Sequence, residues 1–384
     1  MFLTSRGSRL VDHRSTKDML KSRAITRFVS ASIVVAMAGC SAAAQKAPAH
    51  PRVAAQTAPS GTHQTWPPNE QVARLRAVPA QWAQLRTACE NNLDYVPRPV
   101  ADFAPPPHYG DPKGEARIAG SLAADGNVAY QQGLCYVLSG DVRYARAGER
   151  ILDAWATGVR QIAPGQGTAD FNFSFPRYTL AAAMLHRDSA WDDTAFRTFL
   201  LRQVLPRSVS ARPNNFGNWG VFLEAGSALY LNDHALMQRA ANRWRALMAS
   251  QVAPDGSLPE ETCRSDTTDW CGGPDKGIRG IAYTHYTLLP TTLAAEIFRA
   301  AGIDVYAEAG GRTLAEAYAR AAAWTLHPET FPYYASNGGR LQGVRTAAYF
   351  QVLQHRVPCP DGAEVISQGQ LSMDGYELHL LYGT

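Results

Sequence analysis

Residues 212–220, RPNNFGNWG, place several amide side chains beside a tryptophan and ahead of an apolar stretch. Asn214, Asn215 and Asn218 supply hydrogen-bond donors and acceptors, and Trp219 supplies a flat apolar face. That combination suits the carboxylate and the ring of an acidic sugar. The same amides could equally cap the helix that the following residues predict, with Trp219 in the core. Both interpretations remain open at this point.

A second segment, residues 276–290, combines cations, phenols and an imidazole. Tyr283 and Tyr286 lie four and seven positions after Arg279, so all three share one face of a helix. A cation near a phenol favours the phenolate, which can accept a carbon-bound proton. The phenol can in turn protonate a leaving oxygen. The alternative is that His285 and the two tyrosines are packing residues.

Carboxylates offer a different chemistry, because a glycoside hydrolase needs two of them across the scissile bond. Asp170, Asp255, Glu260 and Glu261 are the candidates. No two of these residues are distinguished as a catalytic pair from the acids that loops commonly carry. The sequence therefore favours proton abstraction over hydrolysis.

The elements that would position these residues are helices. After Gly140, residues 141–155 keep apolar and small side chains at helical spacing, and Asp141 is placed to cap the helix. The same pattern of helix end, Asp and amphipathic helix recurs at Asp233 and Asp304. Runs of alternating Val, Ile and Thr are scarce, so little strand is expected. The sequence predicts an all-α protein of paired helices, an α/α toroid, with an open α-solenoid as the alternative.

Together the two segments resemble the alginate lyase superfamily, notably polysaccharide lyase family 5, over residues 85–384. The family pattern has Asn-Asn-His, then Asp-Gly-x-Leu-Pro-Leu-Glu, then Arg-Gly-x-Arg, and finally a Tyr with a Pro seven residues on. The matching positions here are Asn214-Asn215, residues 255–261, Lys276 to Arg279, and Tyr283 with Pro290.

The resemblance implies β-elimination on a uronate, with no metal and no organic cofactor. Asn215 and Arg279 would neutralise the carboxylate and Tyr283 would act as acid and base, with His285 and Tyr286 in reserve. Substrate contacts are expected from Asn214, Asn218, Trp219 and Lys276.

Two positions depart from the family pattern. The His is Phe216 here, and the first Arg is Lys276. Phenylalanine cannot abstract a proton, which leaves three alternatives. A Tyr performs both proton transfers, another His is brought in by the fold, or the protein binds glycans without cleaving them.

Composition restricts the partners. The 384 residues are 46% hydrophobic and 18% charged, with a net charge of +4 spread along the chain. Such a chain can build a large core and lacks the basic patch of a nucleic-acid binder. We expect a monomer whose partner is an acidic polysaccharide.

The N-terminal segment predicts export. Lys21, Arg23 and Arg27 precede an apolar run, residues 28–38, that is too short to span a membrane and is followed by Gly39 and Cys40. This resembles a bacterial lipoprotein signal, in which that Cys is lipidated. We therefore expect a signal peptide at 1–39, a Pro- and Ala-rich tether at 40–70 and the helical domain at 71–384. The expected location is the periplasm or the outer membrane, with the lipid as the sole membrane contact.

Five cysteines follow Cys40, which in an oxidising compartment suggests up to two disulfides and one spare thiol. Cys263 and Cys271 enclose a short polar loop and are the expected pair. No cysteine has the spacing of a zinc site, so no metal site is predicted.

Overall fold

The computed structural model describes residues 65–188, 190–268, 270–372 and 375–383. The expected signal peptide, Cys40 and the tether through residue 64 lie outside these ranges. Within them the chain is helical, and the α-helices are α1 (Asn69–Ala77), α2 (Ala83–Asn91), α3 (Pro112–Ser139), α4 (Val142–Gly158), α5 (Gln166–Ser174), α6 (Pro176–Leu185), α7 (Thr194–Phe199), α8 (Asn215–Leu231), α9 (His234–Gln251), α10 (Pro259–Thr262), α11 (Gly280–Ala300), α12 (Ala309–Leu326), α13 (Phe350–Arg356), α14 (Pro360–Ser367) and α15 (Leu378–Tyr382).

The remaining regular structure is short. Two parallel strands, Asp102–Phe103 and Gln161–Ile162, pair beside α4, and an isolated antiparallel bridge joins Arg264 to Cys271. Single helical turns lie at Pro79–Trp82, Leu200–Val204, Leu205–Arg207, Val305–Ala307, Pro328–Thr330 and Ala335–Asn337. The expectation of an all-α protein is confirmed.

Aspartate caps start the amphipathic helices, as the sequence predicts. The side chain of Asp141 accepts a hydrogen bond from the backbone of Arg143 at the start of α4, and Asp233 accepts one from Leu236 in α9. Asp304 caps the short turn Val305–Ala307, and α12 begins shortly afterwards. These bonds satisfy backbone N–H groups that a helix start otherwise leaves without partners.

The helices form hairpins around clusters of buried apolar side chains. α3 packs on α4 and α6, α6 packs on α8, and α8 packs on both α9 and α11. α8 and α11 are buried almost all round, whereas α4 and α9 bury one face. A helix that is apolar on every side is an inner helix, and a one-sided helix belongs to the outer layer. No helix in the described part of the chain has the length and apolar character of a membrane span.

The folded region begins earlier than expected. Trp66 is fully buried, and its indole N–H donates to the hydroxyl of Tyr130 on α3 at 3.1 Å. Residues 65–70, predicted to end the tether, are therefore part of the domain. A Pro-rich composition concealed this, because one buried tryptophan contributes a large apolar area.

Two disulfides join cysteines of the described residues. Cys263–Cys271 confirms the expected pair, and Cys89–Cys135 joins α2 to α3. Cys359 has a free thiol, and its sulfur caps the start of α14 by accepting from the backbone N–H of Gly362.

Candidate functional site

A cleft of about 600 Å³ opens where α8 and α11 begin. Its walls come from residues 107–109, the first turn of α3, α5, the start of α8, the loop before α11, α11 itself and residues 342–346. Segments that are far apart in the sequence thus meet in this cleft. Tyr283, Tyr286, Asn215 and Arg279, predicted to act together, all line it.

Tyr283 is the central phenol of the cleft. It lies half-buried on α11, and its hydroxyl is hydrogen-bonded to the hydroxyl of Tyr109. Burial and this bond raise the pKa of Tyr109, so its hydroxyl keeps its proton. Tyr109 was not among the predicted residues, because no spacing in the sequence links it to α11.

Two arginines flank the ring of Tyr283. The guanidinium carbons of Arg264 and Arg279 lie 5.3 and 5.5 Å from its centroid. Arg279 also contacts Asp266 at 3.5 Å. The sequence identified Arg279 by its helical phase and missed Arg264, which adjoins Cys263 in the disulfide loop.

The disulfide loop positions the basic segment. The backbone N–H of Gly277 donates to Cys263 at 3.2 Å, and that of Arg279 donates to Arg264 at 3.2 Å. Gly277 has a φ of +82°, and a Cβ there would meet the ring of Tyr333 at 2.2 Å. Only glycine fits this position, which explains the Gly between Lys276 and Arg279.

Asn215 is held by a buried carboxylate. Its backbone N–H and its side-chain amide donate to Glu261 at 2.9–3.0 Å, and Arg264 donates to the same carboxylate at 3.3 Å. Burial raises the pKa of Glu261. The Asn215 amide therefore points its NH₂ at Glu261, and its oxygen has no partner among the described residues.

A polar network of His108, Glu115, Gln166 and Asp170 also lines the cleft. The amide N–H of Gln166 donates to Asp170 at 2.6 Å, and its oxygen accepts from the backbone of His108 at 3.1 Å. The ring of His108 contacts Glu115 at 3.2 Å. Asp170 is only 5% exposed, and burial raises its pKa to about 7.

Of the four carboxyls considered for hydrolysis, Asp170 alone lines the cleft. Asp255 and Glu260 are exposed outside it, and Glu261 is buried behind Asn215. The pair that glycoside hydrolysis needs is therefore not formed by these residues.

Three predicted residues belong to the interior instead. His285 is fully buried, with its ring bonded to the hydroxyl of Tyr349 at 3.0 Å and to the carbonyl of Val344 at 2.9 Å. Burial lowers its pKa to about 4, so it is neutral and has no access to the cleft. Asn218 bonds to side chains inside the core, and Trp219 packs there, 5.0 Å from the ring of Tyr286.

The other predicted residues lie at the margin. Lys276 is exposed, and its ammonium nitrogen lies 5.4 Å from the ring centroid of Tyr333, away from the cleft. Asn214 precedes α8 without a side-chain capping bond. Tyr286 does line the cleft, but burial raises its pKa, so it stays a phenol. Phe216 lines the cleft where the resemblance would place an imidazole, 5.1 Å from the ring of Phe173.

This geometry agrees with the family comparison. The sequence model described as Alginate lyase matches residues 54–331. The chain belongs to the alginate lyase family. It is accordingly a polysaccharide lyase, and its resemblance to that superfamily is confirmed. No curated protein matches the chain.

Solved structures of this family share the fold. An alginate lyase from Bacteroides ovatus superposes with a TM-score of 0.59 at 16% identity, covering 84% of this chain and 99% of that one. Alginate lyase A1-III from Sphingomonas species A1 superposes with a TM-score of 0.62 at 17% identity, covering 81% and 94%. A tyrosine-to-phenylalanine variant of A1-III, complexed with a tetrasaccharide, gives 0.64 at 17%, covering 81% and 93%. The fold is the α/α toroid that the sequence predicts.

Proposed function

We propose that this lyase cleaves a uronate-containing polysaccharide, alginate or a related polyuronate, by β-elimination. The observation that carries the proposal is the position of Tyr283. Its phenol faces the cleft, bonded to Tyr109 and flanked by Arg264 and Arg279.

The reaction needs the C5 proton of a uronate to become acidic. Removing it leaves enolate-like charge on the adjacent carboxylate, and preorganised cations stabilise that charge as it develops. Arg279 and Arg264 supply two guanidinium groups beside the phenol. Asn215 also lines the cleft, but its amide N–H groups are bound to Glu261, so the two arginines and not this amide supply the donors that the sequence assigned to it.

Tyr283 is the proton carrier that this arrangement supports. In its ionised form it takes the proton from C5, the electron pair of the C–H bond becomes the C4–C5 double bond, and the C4–O bond breaks. The leaving oxygen then receives the proton from the Tyr283 hydroxyl. The products are a reducing end and a 4,5-unsaturated uronate, and Tyr283 returns to its starting state. Tyr109 orients the phenol and donates to it while it is ionised.

Complexes of a relative support a long substrate. Alginate lyase A1-III holds a tetrasaccharide in both a tyrosine-to-phenylalanine and a histidine-to-alanine variant. Position 216 is phenylalanine here, where the family pattern has histidine. This favours a mechanism in which one tyrosine both accepts the C5 proton and donates it to the leaving oxygen.

The direct test is the ultraviolet absorbance of the conjugated double bond, measured on alginate, polyglucuronate and mixed polysaccharides. Wild-type protein should generate absorbance on at least one polymer. Reducing ends without absorbance would instead indicate hydrolysis, and binding without either product would indicate a glycan-binding protein.

We also propose that the mature protein is anchored by lipid at Cys40 and acts in the periplasm or at the outer membrane. The basic flank, the short apolar run and Cys40 support this. Mass spectrometry of the mature N-terminus should find a lipidated cysteine, and an unmodified N-terminus at another residue would contradict it.

A further inference from the structure

A further cation lies at the margin of the cleft. The guanidinium carbon of Arg212 is 5.9 Å from the centroid of the Phe216 ring. Phe216 lines the cleft, and Arg212 is an exposed residue of the loop before α8. A guanidinium within about 6 Å of an aromatic ring is attracted to it. The margin beside Phe216 therefore carries a positive charge that the proposed elimination at Tyr283 does not use.

The backbone of Arg212 is held in place although its side chain is exposed. Its N–H donates to the carbonyl of Val209 at 2.9 Å, and its own carbonyl accepts from Arg243 at 2.9 Å. A Cβ at Gly217 would meet that carbonyl at 2.1 Å, so the loop packs directly on the first turn of α8. A ligand that binds the guanidinium therefore has only a side chain to order, and this lowers the entropic cost of binding.

Arg212 differs from the two arginines beside Tyr283 in having no anionic partner. Arg264 is paired with Glu261 at 3.3 Å, and Arg279 contacts Asp266 at 3.5 Å. No carboxylate of the described residues forms an ion pair with Arg212. Its charge is therefore available to an anion from outside the protein.

A row of aromatic rings leads from Phe216 to Tyr283. The centroids of Phe216 and Phe173 are 5.1 Å apart, those of Phe173 and Tyr286 are 5.5 Å apart, and those of Tyr286 and Tyr283 are 6.1 Å apart. All four rings line the cleft and are partly exposed. Ligand clefts commonly combine such apolar surface with a few polar groups that fix the orientation of the ligand. Here the row has cations at both ends.

We propose that Arg212 binds the carboxylate of a second uronate, further along the polymer than the uronate at Tyr283. The rings of Phe173 and Tyr286 lie between the two positions and contact the intervening sugar. Phe216 is a positioning residue, which holds the guanidinium of Arg212 at the margin of the cleft. This subsite rests on the proposed lyase function and specifies its substrate, because it requires a carboxylate at both positions of the chain.

Binding tests the subsite separately from turnover. A series of oligomannuronates from dimer to hexamer is titrated into the Tyr283→Phe protein, and the parent should bind the longer probes more tightly. Arg212→Gln in that protein should raise the Kd of the hexamer about three- to fivefold at low salt, the scale of one exposed ion pair. The Kd of the dimer should stay unchanged. Added salt should shrink the difference for the hexamer, because exposed charges are screened.

Arg239→Gln is the matched control, since Arg239 is an exposed arginine on α9 outside the cleft. Its Kd should equal that of the parent at every probe length. Phe216→Leu removes the aromatic ring and keeps an apolar side chain, so it should weaken the hexamer less than Arg212→Gln does. Combined with Arg212→Gln it should have little further effect, because the ring acts through the guanidinium.

A hexamer that binds Arg212→Gln as tightly as the parent would overturn the subsite. So would an equal loss of affinity for dimer and hexamer, because that would place the effect at the reacting uronate or in the fold. A parent whose affinity does not rise with probe length would overturn it as well. The lyase proposal is decided by a different result, namely whether wild-type protein produces unsaturated ends from any of the polymers.

Discussion

The hydroxyls of Tyr109 and Tyr283 share a hydrogen bond although the residues lie 174 positions apart in the chain. One comes from the loop before α3 and the other from the first turn of α11. The bond orients the phenol of Tyr283 beside Arg264 and Arg279, where the proposed elimination needs a proton carrier.

Tyr283→Phe removes one hydroxyl and keeps the ring. We expect kcat to fall at least about 100-fold, the scale of lost acid–base catalysis, with the circular dichroism spectrum and Tm little changed. Tyr334→Phe, a half-buried tyrosine outside the cleft, is the control and should retain full activity. Near-normal production of unsaturated ends by Tyr283→Phe would refute its role.

Tyr109→Phe should have a smaller effect. It removes an orienting hydrogen bond whose net contribution is about 0.5–1.5 kcal/mol, so kcat should fall roughly 2- to 12-fold. A loss as large as that of Tyr283→Phe would show that Tyr109 itself carries the proton.

Arg279→Ala should lower kcat/KM, because it removes one of the two cations beside the phenol. The expected loss of transition-state stabilisation is about 2–4 kcal/mol. Lys276→Ala is the matched control from the same segment. Since Lys276 stacks on Tyr333 outside the cleft, its loss should change kcat/KM less than about twofold. If the lysine variant were the more damaged of the two, the assignment would have to be reversed.

The two disulfides should stabilise the protein unequally. Cys89–Cys135 spans 46 positions and Cys263–Cys271 spans 8. Chain entropy then assigns about 4 kcal/mol to the first and about 2.5 kcal/mol to the second. Paired Cys→Ser variants, compared by chemical denaturation, should follow that order. Removal of the Cys263–Cys271 disulfide should in addition raise KM, because the loop that it closes aligns Arg264 with Arg279.

His285 should make stability fall in acid. Burial lowers its pKa from 6.5 to about 4. Between these two pH values the unfolded chain binds a proton at His285 and the folded chain does not. The stability that depends on His285 is full above about pH 6.5 and declines as pH falls towards 4, by up to roughly 3 kcal/mol. Asp170, whose pKa burial raises, has the opposite effect over the same range, so the test compares wild type with His285→Gln. The Tm of wild type relative to that of His285→Gln should fall from pH 6.5 to 4, and a difference that stays constant would contradict the assignment.

Local pattern in the sequence was sufficient for much of this protein. Helical periodicity and Asp caps such as Asp141 predicted the paired helices, because both depend on residues within one or two turns. Helical phase also grouped Arg279, Tyr283 and Tyr286 correctly on one face. The same phase sets His285 two positions from Tyr283, on the opposite side of α11, where it faces the core.

The tertiary structure decided which polar groups meet. Tyr109, Arg264 and Asp170 reach the cleft from three different segments, and Lys276 does not reach it although its sequence neighbour Arg279 does. These contacts depend on how the hairpins close around the cleft, which no periodicity encodes. Burial decided the rest, because the removal of water holds His285 neutral and raises the pKa of Asp170, and burial depends on every element packed around a residue.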